Sequence, residues 1–182
     1  PRSYNSQIGV PLSVWNLDER SEVGLFEAGI SEPGEMEALQ SVIQPTIGVF
    51  TCLGDAHQEN FTSYEQKCLE KLKLFKDAKV LVYDMDDARV VGCVNRSAFK
   101  GEYFAWSRQR RDVPLYIASV EKREAETVVS YIYKGKEAAC SIPFIDEASL
   151  ANSVSCLAVC LHLGMSPETI AARMAVLEPV AM

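Results

Sequence analysis

Ala78-Lys79-Val80-Leu81-Val82-Tyr83-Asp84 is the stretch whose reading decides the fold. From Val80 to Tyr83 the apolar run is unbroken rather than alternating, as expected of a strand covered on both faces in a parallel sheet. Thr46-Ile47-Gly48-Val49-Phe50-Thr51 and Val23-Gly24-Leu25-Phe26-Glu27 read the same way. Helical patterns lie around them. Ile8 to Leu17 is apolar at helix spacing, with Pro11 in an early turn. Gly34 to Gln44 sets Met36, Leu39, Val42 and Ile43 on one face. Ser63 to Phe75 opens with Ser63 as N-cap and Glu65 and Gln66 in the first turn. This alternation predicts an α/β fold, a mostly parallel sheet flanked by helices with right-handed crossovers.

The pattern changes after residue 100. Tyr103 to Ser107, Leu115 to Val120, Val128 to Tyr133 and Ala138 to Ile142 are short, rich in aromatic and β-branched residues, and partly alternating. They predict a small antiparallel sheet on one edge, within residues 101–143, with Gly135 at a hairpin turn. Two helices follow: Asp146 to Leu163, ended by Gly164, and Ser166 to Leu177, with Ser166 as N-cap and Pro167 in first position.

The 182 residues suffice for one large domain, and 48% hydrophobic content allows a buried core. A net charge of −7 argues against a general nucleic-acid binder. The short basic run Arg108 to Arg111 reads as a solvated loop. Six cysteines occur with no CxxC pair, and His162 falls on a different helix face from Cys156 and Cys160. Buried, reduced thiols are expected, and with them a reducing, cytoplasmic setting. No apolar run is long enough to span a bilayer.

In open α/β sheets ligands bind outside the carboxyl ends of the strands. The expected strands end in Glu27, in the loop leading to His57, and in Asp84, Asp86 and Asp87. These residues are expected to converge on one edge. A glutamate, a histidine and carboxylates suit a hard divalent ion carrying substrate phosphates, such as Mg2+, and do not suit structural zinc. Each has a plainer reading: a helix cap for Glu27, a loop hydrogen-bonder for His57, an acidic turn and N-cap for Asp84 to Asp87. Lys71 lies mid-helix, fourteen positions after His57; with Lys67 and Lys73 nearby it reads most simply as a surface lysine.

Several segments resemble the Mur ligases. Ser3-Tyr4-Asn5-Ser6-Gln7-Ile8-Gly9-Val10-Pro11-Leu12 is similar to the segment after that family's phosphate loop. Glu27-Ala28-Gly29 resembles its Glu-x-Gly strand end. Thr51 to Phe61, with Ala56-His57, resembles its Ala-His-Leu-Glu-x-Phe loop. Pro143 to Leu163, with Asn152, resembles the stretch holding its His-Asn-x-x-Asn-Ala motif. The wording resembles members that join D-alanyl-D-alanine to UDP-MurNAc-tripeptide, including bacterial forms fused to an alanine racemase domain.

The resemblance implies an ATP-dependent carboxylate–amine ligase of peptidoglycan precursor synthesis, with ATP and Mg2+ as cofactors. It implies that Glu27 and His57 are metal ligands. It implies that Lys71 is carbamylated, so that its new carboxylate joins them and, with His57, serves catalysis. Asn152 and Asp84 would lie on the nucleotide side, and Asn5 and Ser6 near the sugar-nucleotide. Residues 1–182 would be one fragment of the family's central, ATP-binding domain. The chain departs from the pattern at Ala148-Ser149, where the family has His-Asn, and at Asp84-Met85-Asp86, where it has Asn-x-Asp. The family's glycine-rich phosphate loop is expected upstream of Pro1 and its C-terminal domain beyond Met182, so that residues 1–182 alone would not turn over. Two other readings are a sister ligase that adds glutamate to folates, and a non-catalytic domain that keeps the fold only.

Overall fold

The structure, a computed structural model, describes residues 4–178. In chain order the elements are α1 (Gly9–Val14), α2 (Glu35–Ile43), β1 (Ile47–Phe50), α3 (Tyr64–Leu72), β2 (Val80–Asp84), α4 (Ala88–Val94), β3 (Glu102–Ser107), β4 (Leu115–Lys122), β5 (Thr127–Tyr133), β6 (Lys136–Ile142), α5 (Glu147–His162) and α6 (Pro167–Met174). The six strands form one sheet in the order β1-β2-β3-β4-β5-β6. The α/β expectation, mostly parallel strands flanked by helices, is borne out.

Three expectations change. Val23 to Glu27 forms no strand, and its apolar side chains are uncovered: Val23 is 76% and Leu25 92% exposed. An apolar run signals a strand only where something covers both faces. Secondly, β3 pairs with β4 in parallel, Trp106 opposite Leu115, so antiparallel pairing starts only at β4. Orientation depends on a non-local partner, which alternation within one strand does not reveal. Thirdly, a short helix, α4, fills Ala88–Val94, a stretch to which the sequence pattern assigns no element of its own.

Local chemistry explains the elements that match. Ser63 Oγ accepts from Gln66 N at 3.1 Å, and Gln66 Oε1 accepts in return from Thr62 N at 2.7 Å. Asp146 caps α5 by accepting from Ser149 N, and Ser166 caps α6 by accepting from Thr169 N. Lys134 and Gly135 both hold positive φ, 50° and 73°, as a two-residue turn between β5 and β6 requires. Gly164, at φ 80°, ends α5 while Met165 N donates back to Cys160 O.

The chain divides into two compact units. The first comprises residues 4–48, 52–81 and 89–102 of those described. Its interior holds Val10, Met36, Leu39, Cys68, Leu72 and Leu81. The second comprises residues 49–51, 82–88 and 103–178 of those described. There Trp106, Leu115, Ile117, Tyr131, Ile142, Leu157 and Ile170 are buried, each burial of an aliphatic side chain being worth roughly 1.5–3 kcal/mol.

Candidate functional site

In the first unit a set of side chains ties the loops to one another. Asn5 clamps the segment that fails to become a strand. Its Nδ2 donates to Glu27 Oε1 at 2.9 Å, and its carbonyl accepts from Gly29 N at 2.8 Å. Glu27 is thus placed by the N-terminal segment rather than by a sheet. Ser6 Oγ accepts from Gly9 N at 3.1 Å at the start of α1, so its hydroxyl serves a backbone contact. Asn60 Nδ2 donates to Ser31 O at 2.9 Å, joining the loop after His57 to the segment after Gly29.

His57 is exposed and takes a left-handed backbone, φ 58°, at the head of a 3-10 turn over Gln58–Asn60. A non-glycine residue there is uncommon and must be held by its surroundings. The hold comes from α3. Lys67, Glu70 and Lys71 stand at i, i+3 and i+4, hence on one face. Lys67 Nζ donates to Gly54 O at 2.7 Å and to Ala56 O. Lys71 Nζ donates to Cys52 O at 3.1 Å. Glu70 accepts from Gly34 N at 2.6 Å and pairs with Lys73 at 2.7 Å. Burial holds the Lys71 amine below the ordinary lysine range; the charge of Lys67 acts in the same direction, while Cys52 and Cys68 oppose it.

Among the described residues no group of three or more His, Cys, Asp or Glu side chains is placed to hold a metal ion. The strand that was to deliver Glu27 does not form, and Glu27 is carried by a loop held through Asn5. The donor set of the first unit still fits a hard divalent cation. Glu27 is oxygen-bearing and exposed, and Gln58 Oε1, next to His57 in sequence, is buried without a hydrogen-bond partner. Lys71, its neutral form favoured by burial, is suited to become a carboxylate.

The second unit holds a cleft of about 420 Å3 lined by Asp84, Asp86, Trp106, Arg108, Glu147 and Val154, among others. Asp86 accepts from Ser107 Oγ at 2.5 Å and from Arg108 N at 2.7 Å, and Asp84 accepts from Asp86 N at 2.8 Å. Burial, reinforced by the charges of Asp86 and Asp87, pushes Asp84 above the usual carboxylate range. Glu147 pairs with Lys122 at 2.8 Å and Arg108 at 3.1 Å, and these partners, Lys122 foremost, hold it low. An apolar wall faced by fixed charges suits a flat ring with polar edges. Asn152 is exposed; its neighbour Ala151 lines the cleft, and Asn152 does not.

Other expectations are adjusted by packing. Cys52 and Cys156 are exposed and Cys160 is half-buried, so only Cys68, Cys93 and Cys140 are buried thiols; all six are free. The His162 ring packs edge-on against Phe104 at 5.6 Å. Sequence reasoning passed over Lys67 and Glu70. The available signal was their spacing with Lys71, which puts all three on one helix face.

Comparison with known proteins bears on the whole arrangement. The Mur ligase middle domain matches residues 1–160. A UDP-N-acetylmuramoyl-tripeptide--D-alanyl-D-alanine ligase of Borreliella burgdorferi is 28% identical over 174 residues, covering 92% of this chain and 36% of that protein. The crystal structure of MurF from Acinetobacter baumannii superposes with a TM-score of 0.87 at 17% identity, over 99% of this chain and 40% of that one. The MurF ligase of Thermotoga maritima, solved in complex with ADP, superposes with a TM-score of 0.78 at 22% identity, over 94% of this chain and 40% of that one. The chain thus spans well under half the length of these relatives. The family match, running from the Asn5 clamp through the α3 contacts and most of α5, shows that this chain belongs to the Mur ligase middle-domain family.

Proposed function

We propose that this chain forms part of an ATP-dependent amide ligase that joins D-alanyl-D-alanine to UDP-MurNAc-tripeptide in peptidoglycan precursor synthesis. The observation that carries the reading is the family match over residues 1–160, with Glu27, His57 and Lys71 all in the first unit. In the proposed reaction ATP phosphorylates the terminal carboxylate of the tripeptide, the amine of D-alanyl-D-alanine attacks the acyl phosphate, and phosphate leaves. Mg2+ would supply charge neutralisation on the phosphates.

Glu27 and His57 would hold the metal. Asn5 donates to one oxygen of Glu27, and the other oxygen would serve as the ligand. Lys71 would join as its carbamate, formed when the neutral amine adds to CO2 and releases a proton. Asp84 and Asn152 would face the nucleotide, and Asn5 and Ser6 the sugar-nucleotide. Positioning and charge complementarity are the protein's main contributions. Six free cysteines accord with a reducing cytoplasm, and no helix among the described residues is long and apolar enough to cross a membrane. Cell-shape and division roles, and fusion to an alanine racemase, belong to the same proposal.

The test is phosphate release by the full-length protein. It is expected to require ATP, Mg2+, UDP-MurNAc-tripeptide and D-alanyl-D-alanine together. Release with a folate and glutamate, and none with the muropeptide, would replace this reading by that of the sister ligase. Undiminished turnover after Glu27→Ala or His57→Ala would favour a scaffold.

A further inference from the structure

Lys67 is the most deeply buried charged side chain described in the first unit, at 1% exposure. Its amine meets the carbonyls of Gly54 and Ala56 and lies 6.0 Å from the centre of the Phe61 ring. Taking an ammonium out of water is costly unless its donors are met, and an apolar residue of similar length would fill the same space without that cost. What the amine provides is a constraint. It grips two carbonyls two residues apart, on either side of Asp55, and the second belongs to the residue bonded to His57. His57 is the residue whose left-handed backbone needs outside support.

We propose that Lys67 is a positioning residue that sets the conformation of the Gly54–His57 loop and so aims the His57 imidazole at the metal. The proposal rests on the functional reading above for the role of His57, and on the hydrogen bonds alone for the loop. Lys67 acts through His57 and touches no reacting atom. Its neighbour at i+4, Lys71, ties down Cys52 at the start of the same loop, so the two lysines hold it at both ends.

The experiment uses the full-length protein with Lys67→Met, Lys67→Gln and Lys67→Arg, and Leu39→Ala as a control that loosens the same unit away from the loop. The first readout is hydrogen exchange at Gln58 and Asn60, whose amides donate to Asp55 O and His57 O within the loop. Exchange there is expected to rise by about tenfold or more in Lys67→Met and Lys67→Gln, to recover in part in Lys67→Arg, and to stay unchanged in Leu39→Ala. The second readout is the Mg2+ concentration that half-activates phosphate release. It is expected to rise by about tenfold in Lys67→Met with the KM for D-alanyl-D-alanine unchanged. Native exchange at Gln58 and Asn60 in Lys67→Met overturns the proposal. So does a Leu39→Ala variant, matched in lost Tm, that raises the Mg2+ requirement equally. Should Lys67→Met not fold, Lys67→Gln decides by the same criteria. A wild-type protein without Mg2+-dependent turnover would sink the functional reading, and the exchange measurement would then decide Lys67 alone.

Discussion

Glu70→Ala should be among the more damaging changes in the first unit, although Glu70 is neither apolar nor proposed to touch substrate. The carboxylate is 5% exposed and accepts from Gly34 N at 2.6 Å, directly before α2, while pairing with Lys73 at 2.7 Å. The Lys73 side chain is 46% exposed, so it regains water when the pair is lost, and that pair contributes at most about 1 kcal/mol. The charge-assisted bond to Gly34 is worth roughly 1.5–3 kcal/mol. One buried methylene adds about 0.8 kcal/mol. A loss near ~3 kcal/mol follows, or a fall in Tm of about 6–12 °C for a chain of this size. Glu70→Gln keeps an acceptor for Gly34 N and should cost only about 1 kcal/mol. Thermal and urea unfolding followed by far-UV circular dichroism would measure both. A Glu70→Ala loss below about 1 kcal/mol, or a Glu70→Gln loss as large as that of Glu70→Ala, would refute the assignment of the energy to the Gly34 contact.

Gly101→Ala would drive a methyl into Lys79 O and to 2.7 Å from Ala78 O, backbone atoms that cannot step aside. It should destabilise by about 2–3 kcal/mol or more in urea unfolding, whereas Gly54→Ala, with nothing within 4 Å, should stay within about 0.5 kcal/mol. Asp84, raised by burial, carries an ionisation cost in the folded state that is absent while it is protonated and grows as pH rises past the ordinary aspartate range. Asp84→Asn should therefore raise Tm at pH 7 and lose that advantage near pH 3; a gain largest in acid would contradict the sign. Lys71→Arg keeps the charge but cannot form the carbamate. Phosphate release by the full-length protein is expected to fall by about a hundredfold or more, and turnover within threefold of wild type would exclude a carbamylated Lys71.

The parts of this fold that were legible in sequence are those governed by neighbours in the chain. Ser63, Asp146 and Ser166 cap helices where their hydroxyl or carboxylate chemistry says they should, and Lys134-Gly135 turns where a left-handed pair is needed. The β2 run was unmistakable because four of its five residues are buried. Val23 to Glu27 has a similar composition and different surroundings: the Asn5 clamp, twenty-two residues away, decides its path. For the candidate site the same division applies. Glu27, His57 and Lys71 were nameable from spacing and resemblance. Lys67 entered only as a neighbour of Lys71, itself read as a surface lysine, and only the loop carbonyls that fold over Lys67 make it interior. Asn152 was expected on the nucleotide side; its helix lines the cleft with Glu147, Leu150, Ala151 and Val154, and Asn152 itself is exposed.

The change of strand direction after β4 also bears on how the chain reaches its native state. β4, β5 and β6 pair with immediate sequence neighbours, and the β5–β6 connection is two residues long. Such contacts close in microseconds and need little loop entropy. β1, by contrast, pairs with β2 across a connection that contains the whole of α3. Pairings of that kind are slow because their ordering cost comes before their reward. The β4–β6 meander is thus expected to form before the β1–β2 pairing, and pulse-labelled exchange should find amides of β5 protected earlier than those of β1.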